Sequence, residues 1–257
     1  MAKNTSKNRP FVAVLGSIML LTCCAFVLAA CKFEPSVRTE KENKELIQVL
    51  FVGNSQTYEN CGVDCHLKRL VQSAKIGDRV IIESTTAGKF HLLTHLEDSA
   101  SREALTHEKW DKVVLQEYTR GPIHTPEEFA QSGKMWKERL VEINPDVEVV
   151  FFSTWGYKKK LEMAKQLEDK CREVAADIDG TFVPVGLFWE SLRGKVNLYD
   201  VDGAHPNRAG TFASACLFYE YLFNEDVRKT AHLDKLIDVQ LQIKLKKWAH
   251  QYHEKHR

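Results

Sequence analysis

Five short β-rich runs punctuate the chain, each followed by a stretch with helical spacing: Ile47–Val52, Arg79–Glu83, Lys112–Gln116, Val147–Phe152 and Thr181–Val185. They are nearly continuous in apolar residues, as strands buried on both faces are. Alternation of this kind predicts a mainly parallel five-stranded sheet covered by helices on both sides, an α/β/α sandwich. Helices are predicted over Val63–Ala74, Glu127–Ile143, Leu161–Ile178 and Arg208–Phe223, with His91–His107 helical or irregular. Asn144-Pro145 stops the second of these, since the residue before proline avoids the helical region. Pro184 cannot donate to a ladder and puts the fifth strand at an edge. The segment from Asp226 onward is charged, and Leu233, Leu236, Ile237, Leu241 and Leu245 fall near helical spacing. It reads as a helical extension (226–257) of one domain spanning 46–225. In such a sheet, chemistry is sought beyond the carboxyl ends of the strands.

The N-terminus is read separately. Lys3, Lys7 and Arg9 precede Phe11–Ala30, which carries no charge. A basic region followed by an apolar one is the layout of an export signal, expected to span residues 1–30. The run closes Leu28-Ala29-Ala30-Cys31. Small residues before that cysteine resemble the lipobox of bacterial lipoproteins, which implies lipidation of Cys31, a polar tether over 31–45 and a place on the cell envelope, the outer membrane if the cell is Gram-negative. An uncleaved membrane span is the alternative, because the run is long enough to cross a bilayer. Cys61, Cys65, Cys171 and Cys216 then remain for an oxidising compartment, where pairing is permitted. Cys61 and Cys65 are close enough to bridge; on one regular helix their geometry would be near its limit.

Charge excludes one partner class. The chain has 36 Lys and Arg against 35 Asp and Glu, without a basic field of the size nucleic acid requires. A metal is not expected either, since Cys61-x-x-x-Cys65-His66 lacks a second ligand cluster.

Two motifs carry candidate chemistry. The first strand runs into Gly53-Asn54-Ser55, placing a serine at the mouth of the sheet. Far along the chain, Asp202-Gly203-Ala204-His205-Pro206 precedes the predicted helix at Arg208. A hydroxyl needs a base to act as nucleophile near neutral pH, and histidine titrates in the right range. A carboxylate three residues earlier can hold the second imidazole nitrogen. The bland readings are a serine capping a turn and a surface histidine after an Asx turn.

Together, Gly-Asn-Ser after the first strand and Asp-Gly-x-His-Pro before the last helix resemble the SGNH/GDSL hydrolase superfamily over roughly Leu46–Phe223. The resemblance implies a flavodoxin-like three-layer fold and an esterase of small acyl groups, O-acetyl on carbohydrate above all, working without a cofactor. Ser55 is then nucleophile, His205 general base and acid, and Asp202 its orienting carboxylate. The oxyanion would be held by the N–H groups of Ser55 and Gly88. The family's Gly-x-Asn-Asp block is replaced by Leu115-Gln116-Glu117, so Gln116 is the candidate third donor. A branch of the superfamily is similar in having Leu-Gln-Glu here and Thr-Trp later, matched by Thr154-Trp155. Asn54, Glu117 and Trp155 are candidate pocket residues, and His95 is expected to be structural. A carbohydrate-binding lipoprotein on a decayed hydrolase scaffold is the second reading, and a structural lipoprotein docking through its C-terminal helix is the third. The sequence sets neither the natural ester nor the oligomeric state.

Overall fold

Residues Ile47–Gly53 (β1) form an interior strand of the sheet, and both faces are apolar: Val49 and Phe51 point one way, Leu50 and Val52 the other, all buried. The computed structural model describes residues 45–257. The expected export signal, Cys31 and nearly all of the expected tether lie outside the described residues.

After β1 come α1 (Ser55–Tyr58), α2 (Val63–Gln72) and β2 (Val80–Thr86). Then follow α3 (Leu92–Glu97), α4 (Ser99–His107), β3 (Lys112–Leu115), α5 (Gly121–His124) and α6 (Pro126–Ile143). The chain continues with β4 (Glu148–Phe152), α7 (Met163–Asp177), β5 (Thr181–Val183), α8 (Val185–Ser191), α9 (Arg208–Phe223) and α10 (Val239–His256). All sheet pairings are parallel, in the order β2-β1-β3-β4-β5. This is the flavodoxin-like order, with its switch point between β1 and β3. β5 is an edge strand, and Pro184 lies just past its end.

Two cores flank the sheet. Val49, Phe51, Val114 and Phe152 pack with Leu67 and Leu70 of α2, Phe188 of α8, Phe212 and Phe218 of α9 and Leu245 of α10. Leu50, Val113, Val149 and Phe151 pack with Leu105 of α4, Trp136 of α6 and Val174 of α7. Successive strand residues therefore feed opposite layers, as the two-residue period demands.

The sequence leaves the cysteine pairing open, and one expectation, the helical C-terminal extension, is corrected in part. Cys61 and Cys65 are disulfide-bonded, but not within one regular helix. Asn60, Cys61 and Gly62 all have positive φ, so the chain turns sharply before α2 begins at Val63. The segment after Asp226 is not continuously helical. A single 3-10 turn (Val227–Lys229) leads into irregular chain, and α10 starts only at Val239, where Asp238 caps the Leu241 N–H. Asp234 explains the break: its side chain is 2% exposed and accepts both Arg208 Nε and Nη2 at 2.9 Å. That bidentate pair holds the segment against the start of α9.

Candidate active site

The site is assembled at the carboxyl ends of β1 and β3, at the switch point. Gly53 ends β1, and Asn54 caps α1 with its side-chain oxygen toward the Gln56 N–H at 3.3 Å. The Asn54 amide also donates to the Phe90 carbonyl at 3.0 Å, so its side chain is buried as a brace and does not line a pocket. A side chain at Gly53 would bring Cβ within 2.6 Å of Thr57 Oγ1 and 2.7 Å of Gln116 Oε1. Only glycine lets these two groups close over the strand end. Ser55 is thereby delivered at the first position of α1, partly exposed.

The opposite half comes from the loop before α9. Asp200 donates its N–H to the His205 carbonyl at 2.9 Å, and Tyr199 and Pro206 form an antiparallel bridge. Gly203 turns the loop at φ +67°, and its carbonyl accepts the Lys158 N–H at 2.8 Å. His205 Nε2 lies 3.0 Å from Ser55 Oγ, and His205 Nδ1 lies 2.6 Å from Asp202 Oδ2. With Nδ1–H donating to the carboxylate, the Nε2 lone pair is free to accept the serine proton. The other Asp202 oxygen accepts the N–H groups of Ala204 at 2.9 Å and His205 at 3.0 Å. The bond from the imidazole, then these two backbone donors, hold the Asp202 carboxyl down to about 2. Asp202 and His205 are 46% and 41% exposed, so their attraction is partly screened and serves orientation more than stability.

Two backbone N–H groups are expected as donors to an oxyanion. The N–H groups of Ser55 and Gly88 have no hydrogen-bond acceptor among the described residues. Gly88 is exposed two residues beyond β2, with the Tyr58 hydroxyl 3.1 Å from where a Cβ would stand.

Gln116 is placed otherwise than as a third donor. Its side chain is 1% exposed, and its oxygen faces the nucleophile turn, accepting Asn54 N–H at 2.8 Å and Thr57 Oγ1–H at 3.0 Å. Its nitrogen donates to the Glu117 carbonyl at 2.5 Å. Because Asn54 N–H can only donate, the amide orientation is fixed, and Gln116 buckles the β1 and β3 ends together from below. Glu117 is likewise a brace, at the wall of a small internal cavity: its carboxylate accepts the Leu92 N–H at 3.0 Å and the Tyr118 N–H at 2.6 Å, with His91 Nδ1 at 3.0 Å. Burial pushes its carboxyl up, against those three contacts. Trp155, a candidate pocket residue, is fully buried and stacks on Trp189 at 3.9 Å between ring centres. Its indole N–H donates to the Ala204 carbonyl at 2.8 Å, which fixes the Asp202–His205 loop from behind.

His95 is buried and structural in its contacts. Nε2 donates to the Gly53 carbonyl at 2.9 Å, and Nδ1 of the neutral ring accepts the Ser101 hydroxyl proton at 2.7 Å, while Asp98 holds the Ser101 backbone N–H at 2.8 Å. Burial lowers its pKa. Thr57, Tyr199 and Trp189 support the site without having been singled out from the sequence. Each acts through a contact between distant segments, and no local pattern signals it. Tyr199, for example, donates its hydroxyl proton to the Gly156 carbonyl at 2.9 Å. Among the described residues one group of side chains has metal-like spacing, Glu220, Asp226 and His250. It sits at the far end of α9, about 20 Å from Asn207 at 1.5 Å per residue, and Arg228 already grips Asp226 through Nε and Nη2 at 2.8 Å.

No protein-family model matches the chain, and the search of curated proteins returns no match. Solved structures do resemble it. A DUF4886 family protein from Bacteroides uniformis aligns at TM-score 0.66 with 18% identity, covering 80% of this chain and 94% of that one. A protein from Slackia heliotrinireducens, assigned provisionally to the SGNH hydrolases, aligns at 0.60 with 25% identity, covering 69% and 100%. An acetylxylan esterase from Geobacillus stearothermophilus aligns at 0.55 with 15% identity, covering 70% and 96%. The fold is therefore the α/β fold that SGNH hydrolases and esterases share.

Proposed function

We propose that the protein is a serine esterase that removes small acyl groups, O-acetyl groups on carbohydrate above all, at the bacterial cell envelope, where a lipid on Cys31 anchors it. The observation that carries this reading is the unbroken hydrogen-bonded array Ser55–His205–Asp202 at the sheet's switch point. In the reaction, Ser55 Oγ attacks the ester carbonyl while His205 Nε2 takes its proton. The tetrahedral oxyanion is stabilised by the N–H groups of Ser55 and Gly88. Collapse breaks the bond to the alcohol oxygen, which receives the proton from His205 and leaves. Water, deprotonated by the same imidazole, then releases the acid from the acyl-serine and restores the enzyme. The acetylxylan esterase among the structures of like fold supports acetyl as the acyl group.

The test is hydrolysis of p-nitrophenyl acetate by residues 32–257. Ser55→Ala and His205→Ala should each lower kcat by about 10³-fold or more with the fold intact. An unchanged rate in either variant refutes the mechanism. Deletion of Cys31 should move the full-length protein from membrane to soluble fractions. The commitment of Gln116 to Glu117 favours a second reading, a weakly catalytic carbohydrate-binding protein. For such a protein Ser55→Ala would leave glycan binding untouched.

A further inference from the structure

Beside the triad lies a cavity of about 690 Å³, formed by the loops that follow β3 and β4. It adjoins the catalytic loop directly: Lys158 N–H bonds the Gly203 carbonyl, and the residues on either side of Lys158 form the cavity wall. Its polar lining is mostly cationic, from Arg120, Lys159 and Lys160, with the His124 imidazole beside them and Glu162 as the one carboxylate. Tyr157, Ile123 and Leu161 supply an apolar wall.

These cations are uncommitted. Arg139, Arg172, Arg193, Arg208 and Arg228 each grip a carboxylate. Among the described residues, Arg120, Lys159 and Lys160 have no such partner. Arg120 uses only Nε, which donates to the Tyr118 hydroxyl at 2.7 Å and so aims the guanidinium. Its two terminal amino groups remain available, and a guanidinium fork presents paired N–H groups that match a carboxylate. Near-balanced charge over the whole chain makes this local excess a feature of the loop pair.

We infer that this cavity is a subsite for a negatively charged sugar, and that the preferred substrate is an acyl ester on a uronate-bearing glycan. Resting on the esterase reading, this adds a substrate class to it. The carboxylate of a uronate neighbouring the esterified sugar binds Arg120, Lys159 and Lys160 while its ring packs on Tyr157. The ester itself remains at Ser55.

The experiment compares three substrates: p-nitrophenyl acetate, O-acetylated polygalacturonate oligomers, and O-acetylated xylo-oligosaccharides as the neutral control. The wild type should prefer the acidic oligomers in kcat/KM. Arg120→Ala combined with Lys159→Ala and Lys160→Ala should raise KM for the acidic oligomers by about tenfold or more, the scale of a lost charge-assisted contact. Turnover of p-nitrophenyl acetate and of the neutral oligomers should stay within about twofold, since electrostatic recognition touches neither. About 0.5 M NaCl should raise KM for acidic oligomers in the wild type only. Equal use of acidic and neutral esters, or a variant KM unchanged on acidic oligomers, overturns the subsite while p-nitrophenyl acetate hydrolysis keeps the esterase reading alive. If p-nitrophenyl acetate is not hydrolysed, the esterase reading fails by itself. Calorimetric binding of unacetylated polygalacturonate oligomers then decides the subsite: salt-sensitive binding lost in the triple variant sustains it, and absence of binding overturns it.

Discussion

Replacing Gln116 by leucine removes the buckle under the nucleophile and leaves the shape nearly unchanged. Two buried donors lose their acceptor, the Asn54 N–H and the Thr57 hydroxyl, and the Glu117 carbonyl loses a donor. A buried donor left without a partner costs about 1–3 kcal/mol. The Thr57 hydroxyl can rotate toward another acceptor, whereas the Asn54 N–H is fixed by the backbone. Leucine regains part of the loss by burying apolar surface, so the net cost is about 2–4 kcal/mol. For a domain of this size each kcal/mol moves the midpoint by about 2–4 °C, which places the fall in Tm at roughly 5–15 °C. Loss of the Asn54 anchor also frees Ser55, and a shift of about 1 Å in a catalytic group costs on the order of 10²-fold in rate. Circular dichroism melts and p-nitrophenyl acetate hydrolysis read the two effects. Gln116→Glu is the control: its carboxylate still accepts both bonds, so it should keep more of Tm and rate than Gln116→Leu. The opposite order in rate would make the amide nitrogen a direct oxyanion donor. A Gln116→Leu protein that melts within about 1 °C of wild type would refute the buckle altogether.

Burial drives the His66 pKa down to about 4 while Nε2 donates to the Asn60 carbonyl, so the unfolded chain takes up a proton below about 6.5 that the folded one refuses. Stability is full above that pH and falls by up to about 3 kcal/mol as pH drops toward 4, a decline that denaturant titrations should find flattened in His66→Leu. Asp202 has its pKa depressed, so its contribution is present above about 4 and fades only as pH falls toward 2. Asp202→Asn should leave Tm within about 2 °C, because the carboxylate is half exposed, yet lower kcat by about 10²–10⁴-fold through loss of the correct tautomer. Trp155→Phe keeps most of the stack on Trp189 but loses the bond to the Ala204 carbonyl, and it should lower kcat by about tenfold with KM unchanged; a kcat equal to wild type would show that the loop is held without it.

What was legible in the sequence was what local pattern decides. β1, β3 and β4 declare themselves because residues buried on both faces must be apolar in succession, the edge strands β2 and β5 by shorter apolar runs, and Pro184 marks one edge because a missing N–H cannot serve a central ladder. Ser55 and the Asp202–His205 pair were legible for a similar reason: the carboxylate and imidazole lie on one turn, and their spacing carries the contact. The C-terminal stretch misled because Leu233, Leu236 and Ile237 follow a helical period while the chain there is held in irregular turns by tertiary bonds. Lys246 Nζ donates to the Thr230 carbonyl at 2.9 Å, and Gln242 Nε2 donates to the Asp234 carbonyl at 2.9 Å. Leu233 and Leu236 consequently stand 41% and 74% exposed.

Gln116, Glu117 and Trp155 show why the rest of the site was not legible. Each sits just past a strand end, where a polar or aromatic side chain can turn outward to a ligand or inward to the chain. Sequence position is the same in both cases, and the outcome depends on what approaches from another segment. For Gln116 the approaching group is the Asn54 N–H, for Glu117 the start of α3, and for Trp155 the Ala204 carbonyl. All three turned inward because the two halves of the Ser55–His205–Asp202 array come from opposite ends of the sequence and share no covalent tether shorter than the domain. The Ser55–His205 distance of 3.0 Å must then be set by noncovalent braces on each half. Gln116 and His95 fix the β1 end, while Trp155 and the Lys158–Gly203 bond fix the α9 end. Strand-end positions that look like substrate contacts are therefore the ones such a site needs as supports, and the substrate is left to the exposed loops around them.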